Sequence, residues 1–110
     1  MALTAQERQE LENYSTVGKR ATFNYPEGGK KDMGEVIDEV ASVTGRYKNL
    51  IQKLKPPTGP VYDDGSQYAY RFCYLTYTAK GIKFTPYSLF LTGAEYNDLI
   101  QKARAKGWDI

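Results

Sequence analysis

The chain has 110 residues, of which 41% are apolar and 25% charged, and this length and composition are typical of one globular domain. Its single cysteine excludes an internal disulfide, and the absence of histidine leaves almost no ligands for a structural zinc ion. No apolar run approaches the ~18 residues of a membrane-spanning helix, and the N-terminus lacks the pattern of a signal peptide. We therefore expect a soluble, cytoplasmic, single-domain protein (residues 1–110) with no membrane partner.

Charge and tyrosine content are the two unusual features of the composition. The net charge is only +2, yet residues 1–45 hold five basic and eight acidic side chains, whereas residues 46–110 hold ten basic and five acidic ones. The ten tyrosines favour strands, and they also suit binding surfaces because tyrosine is large and amphipathic. The second half of the chain therefore forms either a basic face for an anionic partner or an ordinary solvated surface.

The first elements are a short helix and a strand. Thr4 stands three residues before Glu7, which is the spacing of a reciprocal capping box and predicts a helix over residues 5–13. Alternation of apolar and polar residues predicts a strand over residues 17–25. The Pro and Gly residues at positions 26–29 then predict a hairpin turn.

Residues 33–54 fit two different structures. Apolar residues recur there at spacings of three and four, as on one side of a helix: Met33, Ile37, Val40, Thr44, Tyr47, Ile51 and Leu54. Against a helix, the segment is rich in β-branched residues, and Gly34 and Gly45 would each cost about 1 kcal/mol in a helix. We predict two strands, at 34–43 and 47–54, and a pair of helices is the alternative.

A strand rich in aromatic residues is predicted over residues 68–78. One of its faces carries Tyr68, Tyr70, Phe72, Tyr74 and Thr76. The other carries Ala69, Arg71, Cys73, Leu75 and Tyr77. Apolar side chains on both faces predict a central strand that is covered on both sides.

The chain ends with a strand and a helix. A last strand is predicted over residues 82–90, with Pro86 marking a bulge or a sheet edge within it. Thr92 and Glu95 form a second capping box, which predicts a helix over residues 93–106. The predicted fold is α+β and mainly β: a small five-stranded antiparallel curled sheet, or SH3-like barrel, between an N-terminal and a C-terminal helix.

Several stretches resemble small uncharacterised prokaryotic domains of the SH3-like barrel type. They are Gly34-x-Val36-x-Asp38-x-Val40, Ile51-Gln52-Lys53, the aromatic strand with Arg71, and Ala103-Arg104-Ala105-Lys106-Gly107-Trp108. The resemblance spans about residues 17–108. It favours strands at residues 34–54, and it implies no known activity.

Catalysis is not expected. The chain has no histidine, which is the commonest general base. Cys73 would need a neighbouring base to act as a nucleophile. Arg71, two residues away on the same face, could lower the pKa of this thiol, but a buried and inert thiol fits the aromatic strand better. We expect a non-enzymatic protein with no cofactor and no metal.

Two kinds of binding module remain. Proteins that bind single-stranded nucleic acid combine basic grooves with aromatic side chains on which bases stack. The candidate ligand-binding residues are Arg46, Lys48, Lys53, Tyr70 and Arg71. The alternative is a protein- or peptide-interaction module that uses a tyrosine-rich face or an exposed strand edge. The basic second half of the chain favours nucleic acid.

Overall fold

The structure, a computed structural model that describes residues 2–85 and 90–110, contains two helices and five strands in those ranges. In chain order the elements are α1 (Ala5–Asn13), β1 (Arg20–Asn24), β2 (Lys30–Thr44), β3 (Tyr47–Lys55), β4 (Ala69–Thr78), β5 (Gly81–Thr85) and α2 (Gly93–Ala105). The predicted fold class, a mainly β α+β fold with a helix at each end, is confirmed. Both helices begin with the predicted capping boxes. The expected break at Pro86 lies outside the described residues.

The strands form one antiparallel sheet in the order β1-β2-β3-β4-β5. The sheet is strongly curled. This curl brings the Arg71 side chain on β4 close enough to donate a hydrogen bond (3.2 Å) to the backbone carbonyl of Thr22 on β1, across the two intervening strands. The face that carries Arg71 is therefore the concave, inner face. Among residues 2–85 and 90–110, β1 and β5 do not pair with each other, so the sheet described is a half barrel with two strand edges.

Strand β3, rather than β4, is the centre of the sheet. Six of the nine residues of β3 are buried, whereas only Cys73 and Leu75 are buried on β4. The prediction that residues 68–78 form the central strand is therefore wrong. Strand β4 has apolar side chains on both faces although only one face is buried. Its inner side chains reach the core, and its outer aromatic rings are partly exposed.

The two helices cover opposite faces of the sheet. Helix α1 packs on the inner face, in a cluster of Leu11, Leu50, Cys73 and Leu75. Helix α2 and the residues after it pack on the outer face, in a cluster of Val40, Ile51, Leu99, Ile100, Ala103 and Trp108. Consecutive residues of β3, Leu50 and Ile51, thus belong to different cores, as the alternation of a strand requires.

The hairpin prediction for residues 33–54 is confirmed, and β2 contains a bulge. The register of β2 against β3 shifts between Val36 and Asp38. Val36 packs on the inner face and Val40 on the outer face, although without the bulge residues four apart would share a face. The extra residue therefore changes the phase of the alternation along β2.

Strands β1 and β2 begin at different positions from those predicted. Strand β1 starts at Arg20 instead of residue 17, because a turn precedes it in which the Lys19 N–H donates to the Thr16 carbonyl (3.0 Å) and Gly18 has φ of 89°. Strand β2 starts at Lys30, four residues before the predicted start, because the β1–β2 hairpin pairs as far as Asn24 and Lys30.

Gly34 lies where two backbone segments approach closely. Its φ is 122°, and a Cβ atom added there would lie 1.9 Å from the backbone carbonyl oxygen of Lys55. We expect Gly34→Ala to lower the free energy of unfolding by about 2–5 kcal/mol, the sum of backbone strain and overpacking. Gly81 is the matched control, since its φ is 110° but the space around it is open. Urea denaturation of Gly81→Ala should show only the strain, about 1–2 kcal/mol, and equal losses in both variants would contradict the close approach at Gly34.

Candidate functional site

Aromatic side chains line the outer face of β4 beside α2. Tyr70, Phe72 and Tyr74 are the register partners of Lys53, Ile51 and Asn49 on β3, so they share the outer face with those residues. Tyr68 immediately precedes the strand, and Tyr47 on β3 meets Tyr74 edge to face, with ring centroids 5.8 Å apart. We call Tyr47, Tyr68, Tyr70, Phe72 and Tyr74 the aromatic surface. Tyr47 is 50% exposed, Tyr68 42% and Phe72 36%.

The C-terminal residues hold one end of the aromatic surface in place. Trp108 stacks on Tyr70 with ring centroids 5.5 Å apart and an interplanar angle of 28°. The Nζ atom of Lys53 lies 4.1 Å from the ring centroid of Tyr68 and 5.9 Å from that of Trp108. Two of the residues predicted from the sequence, Lys53 and Tyr70, therefore lie together in one cluster of rings and positive charge.

Asp38 anchors this cluster to the sheet. Its carboxylate accepts hydrogen bonds from the Trp108 indole N–H (3.3 Å) and the Lys106 ammonium (2.6 Å). Burial opposes ionisation of Asp38, but the hydrogen bonds from Lys106, the Glu39 amide and Trp108 outweigh it and lower the pKa of the carboxyl. Asp38 is therefore ionised at neutral pH, and its charge is balanced by Lys106.

Arg46 lies in the turn between β2 and β3, directly before Tyr47. Its Nε donates to the backbone carbonyl of Tyr77 (3.0 Å), and the Tyr77 N–H donates to the Arg46 carbonyl (2.9 Å). These bonds tie the turn to β4.

Lys48 lies in a buried polar network on the inner face. Its ammonium donates to the backbone carbonyls of Glu12 (2.8 Å) and Tyr14, and it lies 3.8 Å from a carboxylate oxygen of Glu39. Only 4% of Lys48 is exposed, and burial lowers the pKa of its ammonium although the Glu39 charge opposes this shift. Lys48 thus joins the end of α1 to the sheet and does not reach the surface.

The network continues from Glu39 to Arg71. One carboxylate oxygen of Glu39 accepts from the Thr16 N–H (2.6 Å) and the Thr16 hydroxyl (2.7 Å). Gln52 Nε2 donates to the Thr16 hydroxyl oxygen (2.9 Å), and Arg71 Nε donates to Gln52 Oε1 (2.8 Å). Arg71 and Lys48 therefore lie on the opposite face from Lys53 and Tyr70, so the five predicted residues do not share one surface.

The sequence contained a signal for this network. On the inner face of β3, buried polar and apolar residues alternate as Lys48, Leu50, Gln52 and Leu54. A polar side chain between buried apolar neighbours needs hydrogen-bond partners, and this requirement marks Lys48 and Gln52 as structural. The partners Thr16 and Glu39 come from distant segments, so only the fold identifies them.

Cys73 is fully buried on the inner face. Burial raises the pKa of its thiol to about 12, and the nearby Arg71 does not reverse this shift. Arg71 acts in the suggested direction and lowers the pKa of the thiol, but burial outweighs it, so the thiol is uncharged at neutral pH. In this state Cys73 is a poor nucleophile.

Comparisons with protein-family models, curated proteins and solved structures found no match to this chain. In the described residues, no helix combines the length and apolarity needed to cross a membrane. The same part of the chain brings no three Cys, Asp or Glu side chains together as metal ligands. The aromatic surface is therefore interpreted from its own geometry.

Removing Lys48 should destabilise the fold strongly. We expect Lys48→Met to lower the free energy of unfolding by about 3–5 kcal/mol, because it leaves the Glu39 carboxylate without its buried cation. Combining it with Glu39→Gln should recover part of this loss. The control is Lys55→Met, whose ion pair with Glu35 (3.7 Å) is more exposed and is expected to contribute less than about 1 kcal/mol. Urea denaturation measures the original chain, Lys48→Met, Glu39→Gln, the double variant and Lys55→Met, and strictly additive effects at positions 48 and 39 would contradict the coupling.

The contacts of Asp38 predict a pH dependence. Because the folded pKa of Asp38 lies below its ordinary value of 3.8, its stabilising contribution is present above pH 3.8 and is lost as the pH falls through the folded pKa. We expect Asp38→Asn to be less stable than the original chain at neutral pH and to lose less stability on acidification. Denaturation followed by Trp108 fluorescence measures this, with Asp63→Asn in the exposed β3–β4 loop as the control. Parallel acid profiles for the original chain and Asp38→Asn would rule out this role.

Proposed function

We propose that this chain is a small non-enzymatic domain that binds single-stranded nucleic acid on its aromatic surface, and that its half barrel is of the SH3-like type. The observation that carries the binding proposal is the row of partly exposed rings along the outer face of β4.

The spacing and exposure of the rings support base stacking. Side chains at alternate positions of a strand are about 6.8 Å apart, so Phe72 and Tyr74 present separate ring faces to successive parts of an extended ligand. Stacking of one base on an aromatic side chain is worth about 1–3 kcal/mol and tolerates any base. Tyr70 supports the other rings of the aromatic surface, because it is itself stacked with Trp108.

Two lysines provide charge beside these rings. Lys53 lies at one end of the aromatic surface, and Lys83 on β5 faces the same side because its register partner is Thr76. Within the described residues neither lysine is within salt-bridge distance of a carboxylate. Their charges are therefore available for phosphate groups, in contrast to that of Lys106, which pairs with Asp38.

The shortage of acid–base groups supports a non-enzymatic function. The chain has no histidine, and its one thiol is buried with a pKa of about 12. A binding role needs neither group.

A second candidate is a peptide-binding domain. Strands β1 and β5 do not pair with each other in the described structure, so each has one edge at which an extended peptide could add as a further strand. The two candidates differ in salt dependence, because contacts with phosphates weaken steeply as salt is added, whereas backbone pairing and apolar contacts weaken little.

Fluorescence anisotropy with a labelled single-stranded oligonucleotide tests the first candidate. We expect Phe72→Ala to weaken binding by about 1–3 kcal/mol through lost stacking. We expect Lys53→Ala to reduce the slope of log affinity against log salt by about 0.7.

The controls for this experiment lie on the β1–β2 hairpin. Tyr25 is 40% exposed, close to the value for Phe72, and Lys31 is an exposed cation. Tyr25→Ala and Lys31→Ala should leave affinity unchanged. Absence of binding at low salt, or equal losses in the controls, would refute the proposed site. Salt-independent binding of peptides instead would favour the second candidate.

A further inference from the structure

A small cleft of about 110 Å³ opens on the inner face of the half barrel, between the edge strands β1 and β5. The side chains that define its chemistry are Tyr14, Lys19, Arg20, Gln52, Arg71 and Phe84. It lies on the opposite face of the sheet from the aromatic surface, so an inference about the cleft is independent of the proposed function.

Arg71 is held rigidly in this cleft. Its Nε donates to Gln52 (2.8 Å), one of its Nη atoms donates to the Thr22 carbonyl (3.2 Å), and the guanidinium carbon lies 5.0 Å from the centroid of the Phe84 ring. A guanidinium has five N–H donors. Two of them make these bonds, and the group also lies within hydrogen-bonding reach of the Cys73 thiol. In the described residues no buried side-chain nitrogen or oxygen lacks a hydrogen bond. The second Nη atom has no nitrogen or oxygen partner in the described residues and is therefore accessible to solvent.

The guanidinium has no carboxylate partner among the described residues. Its two hydrogen-bond acceptors are neutral, and the Cys73 thiol near it is uncharged at neutral pH. The carboxylate of the polar network, Glu39, is already bound by Thr16 and by Lys48. Burial of a charge without a counter-charge is unfavourable, so an anion in the cleft would lower the energy of Arg71.

The rest of the cleft also favours an anion. Lys19 reaches its rim, where the ammonium donates to the Tyr14 hydroxyl. Arg20 is also at the rim and pairs with Asp32. The described lining residues include three cations and no carboxylate, so the lining carries a net positive charge, and low-polarity walls strengthen the field of such charges.

We propose that this cleft is a binding site for a small oxyanion group, a carboxylate or a phosphate, which accepts hydrogen bonds from the free N–H groups of Arg71 while Lys19 provides a second charge. Planar guanidinium groups recognise both of these anions through paired hydrogen bonds. The volume of the cleft is well below the roughly 300–1,000 Å³ of sites for drug-sized ligands. The cleft therefore holds the anionic group itself, with the rest of a larger molecule outside.

Nuclear magnetic resonance with inorganic phosphate and with acetate as separate probes tests the site. Each is titrated into isotope-labelled protein at constant ionic strength, with sodium chloride as the compensating salt. We expect saturable shifts of the Arg71 Nε–H signal and of the Gln52 and Phe84 amides. Saturation with phosphate alone or with acetate alone identifies the anion, and saturation with both establishes a general oxyanion site; each result supports the proposal.

Three variants make the test specific. Arg71→Gln should weaken binding roughly tenfold or more, since hydrogen bonds to a charged group are lost. Lys19→Ala, an exposed change, should weaken it by up to about fivefold. Lys80→Ala, a comparable exposed cation in the β4–β5 turn, should have no effect.

Two results would overturn the proposal. One is the absence of saturable shifts with either probe. The other is shifts that are unchanged in Lys19→Ala and lie outside the cleft residues. The second criterion does not depend on whether Arg71→Gln folds. Loss of oligonucleotide binding in Phe72→Ala concerns the other face of the sheet, so the two proposals fail or succeed separately.

Discussion

The structure depends on the burial of β3 on both of its faces. A strand of nine residues cannot bury alternate side chains on two sides unless something covers each side, and the two terminal helices do this from opposite directions. Leu50 faces α1, and Ile51 faces α2. The other strands lie on both sides of β3 in a simple meander. Each half of the chain contributes one helix, and the central strand holds the two halves together.

Packing a helix on the inner face requires polar groups to be buried as well. The segment between α1 and β1 crosses the sheet, and its backbone groups need partners. Lys48, Glu39, Thr16 and Gln52 provide them through hydrogen bonds and one ion pair, between Lys48 and Glu39. This network explains why the basic residues of the second half do not form one basic face. Lys48 carries a charge that serves the interior of the fold, whereas Lys53 and Lys83 have no carboxylate within salt-bridge distance in the part of the chain that the structure describes.

The same geometry leaves two chemically different surfaces. The outer face offers aromatic rings beside lysines, which suits flat and extended ligands that stack. The inner cleft offers one fixed guanidinium in a small space, which suits a compact anion. The two surfaces are formed by the same strand, because consecutive residues of β4 point to opposite faces: Tyr70 belongs to one surface and Arg71 to the other.

The number and type of the elements follow from local patterns in the sequence. Capping boxes at Thr4 and Thr92, the turn residues and the β-branched composition of residues 34–54 act locally, so they can be read without knowledge of the fold. The sequence also singled out the aromatic strand and placed Lys53 and Tyr70 in the candidate site. Which strand is central depends on tertiary contacts. The polar residues of β3 hide its burial in the sequence, because their partners, Thr16 and Glu39, come from distant segments. Tertiary contacts also place Lys48 and Arg71 on the opposite face from Lys53. The face on which a charge lies depends on register and on the bulge at residue 37. The hydrophobic pattern alone does not reveal that extra residue.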